Sequence, residues 1–93
     1  MKVRYARRAQ ADLAKILNYL DGRRPRGALS VELAIKRTID TIAQNPDLGN
    51  SIARSNVRSM PVARYPYLVF WTVEVGEIWV LHIRHGARSV WRG

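Results

Sequence analysis

The sequence predicts an α+β domain in the order β-α-α-β-β-β, an antiparallel sheet packed on one face by an N-terminal helical hairpin. Three observations carry that expectation. The first half contains two stretches whose apolar residues recur at helical spacing, separated by a Gly/Arg/Pro turn. The second half contains two runs dominated by aromatic and β-branched residues, Tyr67–Val73 and Ile78–His85, with Gly76-Glu77 marking a tight reversal between them. A helical hairpin with one apolar stripe must also be covered by something, and a sheet supplies the cover.

Taken in order, Lys2–Tyr5 is a short strand candidate. From Arg7 to Asp21, residues Ala9, Leu13, Ile16, Leu17 and Leu20 form one helical stripe, without a Ser, Thr, Asp or Asn at the expected N-cap. Gly22–Gly27 ends that helix. A second helix is expected over Ala28–Gln44, with Val31, Ala34, Ile35, Ile39 and Ile42 on its apolar face. Asn45-Pro46 stops it, because proline disfavours helical geometry in the residue before it. Asp47–Asn56 reads as a loop and Val57–Val62 as the next strand. On the last strand, alternation puts Trp79, Leu81 and Ile83 on one face and Ile78, Val80, His82 and Arg84 on the other. The helices are expected on the first of these faces. Residues 1–93 make a single domain, with no repeat or low-complexity segment.

Composition narrows the function. Apolar residues make up 47% of the chain, enough for a packed core, and no run approaches the roughly 18 apolar residues that a bilayer crossing needs. Without cysteine there is no disulfide framework and no thiolate chemistry, and the cytoplasm is the expected compartment. The net charge is +9, and its excess lies in residues 1–26 (+6) and 51–93 (+4), with residues 27–50 at −1. Such a balance favours nucleic acid, a nucleic-acid-bearing machine, or an acidic protein as partner.

Metal chemistry is not expected. His82 and His85 are three apart on a strand, which places them on opposite faces unless a bulge intervenes, and no cysteine or nearby carboxylate completes a site. No cofactor loop is visible, and no serine sits on a nucleophile elbow. The constellation that remains is cationic: Arg58, Arg64, His82, Arg84 and Arg88, with Tyr65 and Tyr67. Guanidinium forks and imidazole suit metal-free RNA cleavage, and equally suit holding phosphates without reaction.

Ala9-Gln10-Ala11-Asp12-Leu13 with Ile16 and Tyr19, then Ile42 with Asn45-Pro46-Asp47-Leu48-Gly49, resemble the helical half of RelE/ParE-superfamily toxins. Val57-Arg58, Met60-Pro61-Val62, Arg64–Phe70 and Ile83-Arg84-His85-Gly86-Ala87-Arg88 resemble the sheet half. The resemblance spans nearly the whole chain and implies the toxin of a type II toxin–antitoxin system. Two branches follow from it. The RelE-like branch cuts messenger RNA on the ribosome, and its strand arginine is replaced here by Leu68. Its lysines fall near Ser59 and Pro61, and no tyrosine follows Tyr67; Arg88 alone keeps a matching catalytic-type position. The ParE-like branch tolerates those losses and acts on DNA gyrase, so it is the branch expected.

If the protein were a ribonuclease, Arg58, Arg64, His82 and Arg88 would be its catalytic candidates. Arg64, Tyr65, Arg84, His85 and Arg88 are the target-binding candidates. The resemblance also implies a hetero-oligomer with a cognate antitoxin, a small acidic ParD-like protein. Its amphipathic segment would lie beside the helical hairpin, on Leu13, Leu17, Leu20, Ile35, Ile78 and Val80.

Overall fold

The computed structural model describes residues 1–86, and Arg88 lies outside the described residues. Its elements are β1 (Lys2–Tyr5), α1 (Arg7–Asp21), α2 (Pro25–Gln44), β2 (Asn50–Ser51), β3 (Arg58–Pro61), β4 (Tyr67–Glu74) and β5 (Glu77–His85). The α+β class, with an N-terminal helical hairpin packed against a single sheet, is as expected. The sheet runs β1-β5-β4-β3-β2, with antiparallel pairing from β5 through β2. At its other end β1 joins β5 in parallel, Val3 opposite Ile78 and Tyr5 opposite Val80, which makes the sheet mixed. Four residues of alternating burial fix a strand but not its direction, and the long connection through both helices permits either.

The core lies between the hairpin and one sheet face. Ala9, Val31, Ile35, Ile39 and Ile42 meet Val62, Val69, Trp71, Ile78, Val80 and Ile83, all of them buried. The β5 residues in that contact correct the expected faces. Phe70 pairs with His82 and Trp71 with Val80, so Leu81 is an extra residue, a bulge. Before the bulge Ile78 and Val80 face the helices; after it Ile83 takes their side. Trp79 and Leu81, expected beneath the helices, are only half-buried and stay out of this core. Alternation read through a bulge inverts one half of the strand.

Three boundaries also differ from the sequence reading. Helix α2 begins at Pro25, three residues early, because proline at the first helical position loses no hydrogen bond and arrives with helical φ. The β4–β5 turn is centred on Val75 (φ 50°) and Gly76 (φ 71°), between the paired Glu74 and Glu77. Two positive φ values in sequence define the hairpin turn that matches strand twist. Within the expected loop, Asn50 and Ser51 pair with Ser59 and Arg58 as a two-residue edge strand.

Candidate functional site

The corner between α2 and β3 is closed by a side chain expected to be functional. Arg58 donates from Nε to the Leu48 carbonyl (2.8 Å), from Nη1 to Ser51 Oγ (3.0 Å), and from Nη2 to the carbonyls of Asp47 (2.7 Å) and Gly49 (3.4 Å). Beside it the buried Trp71 ring reaches the Pro46 carbonyl from Nε1 at 3.4 Å. Gly49 has φ 75°, and a Cβ there would overlap the Ser59 carbonyl oxygen and come within 2.8 Å of the Trp71 ring. The Asn45-Pro46-Asp47-Leu48-Gly49 segment is thereby held from both sides. The Arg58 fork is thus engaged by three backbone carbonyls and the Ser51 hydroxyl of its own chain.

A second cluster stands at the edge where β1 stops. Ala6 N–H closes the β1–β5 pairing on the Val80 carbonyl at 2.9 Å, and beyond that point α1 flanks β5. The Asp12 carboxylate accepts the Ile83 N–H at 3.1 Å, taking the place of a strand partner. Its oxygens also lie 3.5 Å from Arg8 Nε and 3.6 Å from His82 Nδ1, while Arg84 Nη2 approaches the same ring nitrogen at 3.4 Å. Burial first, then the Arg84 and Arg8 charges, pushes the His82 pKa below its ordinary 6.5, and Asp12 opposes them only in part. The ring is thus neutral at neutral pH. His82 and Phe70 form a T-shaped contact with ring centroids 6.4 Å apart, and His85 and Tyr67 another at 5.8 Å. The bulge precedes both histidines, so they remain on opposite faces. Among the described residues no cluster of His, Cys, Asp or Glu could hold a metal.

The remaining candidates fall into two open clefts. One groove, about 730 Å³, runs between α2 and the β3–β4 turn and takes in Leu33, Arg37, Met60, Val62, Arg64 and Tyr65. Arg64 is exposed and holds a positive φ of 73° in that turn. The other cleft lies between α1 and the ends of β4 and β5, and takes in Arg84 and His85 with Arg8, Lys15, Tyr19 and Tyr67. The five target-binding candidates therefore do not form one site: Arg64 and Tyr65 belong to the first groove, Arg84 and His85 to the second, and Arg88 lies outside the described residues.

The antitoxin candidates divide as well. Ile35, Ile78 and Val80 are each 0% exposed, sealed beneath the hairpin, and offer a partner no surface. Leu13 and Leu17 line a shallow depression shared with Tyr5, Glu32 and Lys36, and Leu20 packs at the margin of the core. The residues not anticipated are Leu29 and Leu33 on α2, 68% and 49% exposed, together with Arg37, Lys15 and Tyr19. A signal for the leucines existed: they stand four apart and off the Val31/Ile35/Ile39 stripe, a second apolar line on the same helix.

With this geometry in place, comparison with known proteins defines the class. Residues 3–90 match the family model described as the ParE toxin of type II toxin–antitoxin systems, parDE. The chain belongs to this ParE toxin family, within the RelE/ParE superfamily. It is 33% identical over 81 residues to "Toxin RelE2" of Caulobacter vibrioides, covering 87% of this chain and 90% of that protein. It is also similar to a solved structure described as a chromosomal ParDE TA system from P. aeruginosa, with TM-score 0.79 and 25% identity, over 91% of this chain and 95% of that one. Membership implies an antitoxin partner. No helix among the described residues is long and apolar enough to cross a membrane.

Proposed function

We propose that this toxin arrests growth by binding DNA gyrase in the cytoplasm, without cutting RNA, and that a small acidic ParD-like antitoxin neutralises it. The observation that carries the reading is the dispersal of the would-be catalytic residues. Arg58 is turned inward on the Asp47–Gly49 backbone, Arg64 stands on the α2 groove, and the neutral His82 is wedged between Asp12 and Arg84. Metal-free phosphodiester cleavage needs a base and several cations within reach of one phosphate. Guanidinium is a poor base at any pH, so Arg88 beside these three would not supply the missing function.

The antitoxin reading rests on the α2 groove. Its lining is largely apolar, Leu33 stands exposed beside it, and Arg37 and Arg64 are its charged members, with no carboxylate among the described lining residues. An amphipathic acidic helix fits both features. Arg84 and His85 remain the target-side candidates, across the molecule on the α1 side.

A second reading draws on the relative named Toxin RelE2: a RelE-like, ribosome-dependent mRNA endoribonuclease using Arg58, Arg64, His82 and Arg88. Purified toxin tested against gyrase supercoiling and against ribosome-bound mRNA separates the two. Blocked supercoiling with intact mRNA is the expected result. Site-specific mRNA cleavage that vanishes in His82→Ala would establish the endoribonuclease instead.

A further inference from the structure

The cleft between α1 and the ends of β4 and β5 is lined by cations from two elements. Arg8 and Lys15 reach it from α1 and Arg84 from β5. Asp12 is the carboxylate among its described lining residues, and it is 17% exposed and turned inward to the Ile83 N–H. Lys15 has no ion-pair partner among the described residues. The same cation-rich surface continues along α1 past Lys15 to Asn18.

Aromatic rings stand among these cations. Tyr19 is 59% exposed, and the Arg23 guanidinium sits over one face of its ring, 3.9 Å from the centroid. That leaves the other face for a second planar group and adds a further charge to the row. His85 is exposed and meets Tyr67 in a T-shaped contact, with ring centroids 5.8 Å apart, which places a second ring beside the cations. Ile16 and Ile83 form an apolar floor. Cations spaced along a groove with ring faces between them suit a chain of alternating phosphates and planar bases.

We propose that this cleft binds single-stranded nucleic acid, with Arg8, Lys15 and Arg84 on the phosphates and Tyr19 and His85 stacking on the bases. No bond is made or broken. Single strands are favoured over duplex because stacking on Tyr19 and His85 requires unpaired bases, whereas a duplex presents this cleft with phosphates alone. An acidic peptide would satisfy the cations but leave the rings without planar partners, and the α2 groove suits such a peptide better. The proposal deepens the target side of the gyrase reading, yet it is measured with a free oligonucleotide in the absence of gyrase. The two ideas therefore fail separately.

The test is fluorescence anisotropy of labelled dT12 with the full chain, at about 50 mM and 200 mM salt, beside a duplex of equal length and a 12-residue polyglutamate. Tight binding to dT12, weakened by salt, is expected. Lys15→Glu should weaken it by roughly tenfold, since a favourable phosphate contact becomes repulsive. Tyr19→Ala should weaken it by at least about fivefold, the low end for loss of one stacked base. Arg54→Glu, in the loop at the opposite edge of the sheet, should cost less than about threefold by long-range charge alone. Lys15→Gln and Tyr19→Leu stand in for either cleft variant that melts early. Equal loss in Arg54→Glu and Lys15→Glu would reduce the binding to diffuse attraction by the +9 chain and overturn the assignment. So would polyglutamate binding as tightly as dT12, or a preference for duplex that ignores Tyr19.

Discussion

At the corner between α2 and β3, one guanidinium donates to four oxygens of its own chain. At the edge between α1 and β5, three cationic side chains and a histidine border open solvent around a carboxylate turned inward. Both regions are built on charge, with opposite results. The corner uses its charge to fix a backbone path, whereas the edge lines an open cleft with cations. Residue type does not separate them, since arginine is central to both. What separates them is how far the chain surrounds each charge: four oxygens hold Arg58, while Lys15 at the edge has no ion-pair partner among the described residues.

The largest expected effect breaks the corner. Gly49→Ala would add a Cβ where the Ser59 carbonyl already lies, at a φ of 75° that alanine tolerates poorly. It should destabilise by about 3 kcal/mol or more, read as a collapse of the urea midpoint. A midpoint within about 0.5 kcal/mol of wild type would mean the corner yields easily and is no clamp.

The next effect sharpens the edge. His82 has a folded-state pKa below its ordinary 6.5, so below that pH the unfolded chain takes up a proton that the folded chain refuses. Wild type should therefore lose stability as pH falls through 6.5 toward the lowered folded value, and hold it above. In His82→Gln this contribution to the acid loss should be missing, visible as a shallower dependence of the urea midpoint between pH 7.5 and 5. Parallel curves for the two proteins would contradict the neutral, half-buried His82.

The smallest effect lies outside both regions and calibrates them. Val75 is 98% exposed and holds a φ of 50°, an unfavourable conformation for a β-branched side chain. Val75→Asn should stabilise the hairpin by about 0.5–1 kcal/mol, without touching either charged region. A measured loss of stability would mean that Val75 makes a favourable contact in its turn.

How much of this was legible in the sequence follows from the range over which each signal acts. The α1 and α2 stripes, the Asn45-Pro46 stop and the β4–β5 pair are local patterns, and they appear where expected. The Leu81 bulge is not local: it depends on how Phe70 and Trp71 register against β5, and a period of two cannot show it. That one extra residue reversed the faces of Ile78 and Val80 and with them part of the expected antitoxin surface. The hydrogen bonds of Arg58 were not legible for a related reason. Its ligands lie 7 to 11 residues away across a turn, and nothing in its neighbours distinguishes a clamp from a phosphate contact. Arg64 and Arg84 were recognised as surface cations, but their separation into different clefts is set by the β3–β4 turn and the packing of α1.

Arg58 and Arg64 lie six positions apart, and the comparison between an inward and an outward charge is most direct in them. Arg64 makes no ion pair or hydrogen bond among the described residues, while Arg58 holds the Asp47–Gly49 turn. Thermal melts of Arg58→Met and Arg64→Met test the difference. Loss of charged hydrogen bonds at the corner should cost about 2 kcal/mol, lowering the Tm of Arg58→Met by roughly 8–16 °C. Arg64→Met should melt within roughly 2 °C of wild type, as an exposed substitution does. A melt unchanged by Arg58→Met, together with lost toxicity, would contradict the account and return Arg58 to the functional set.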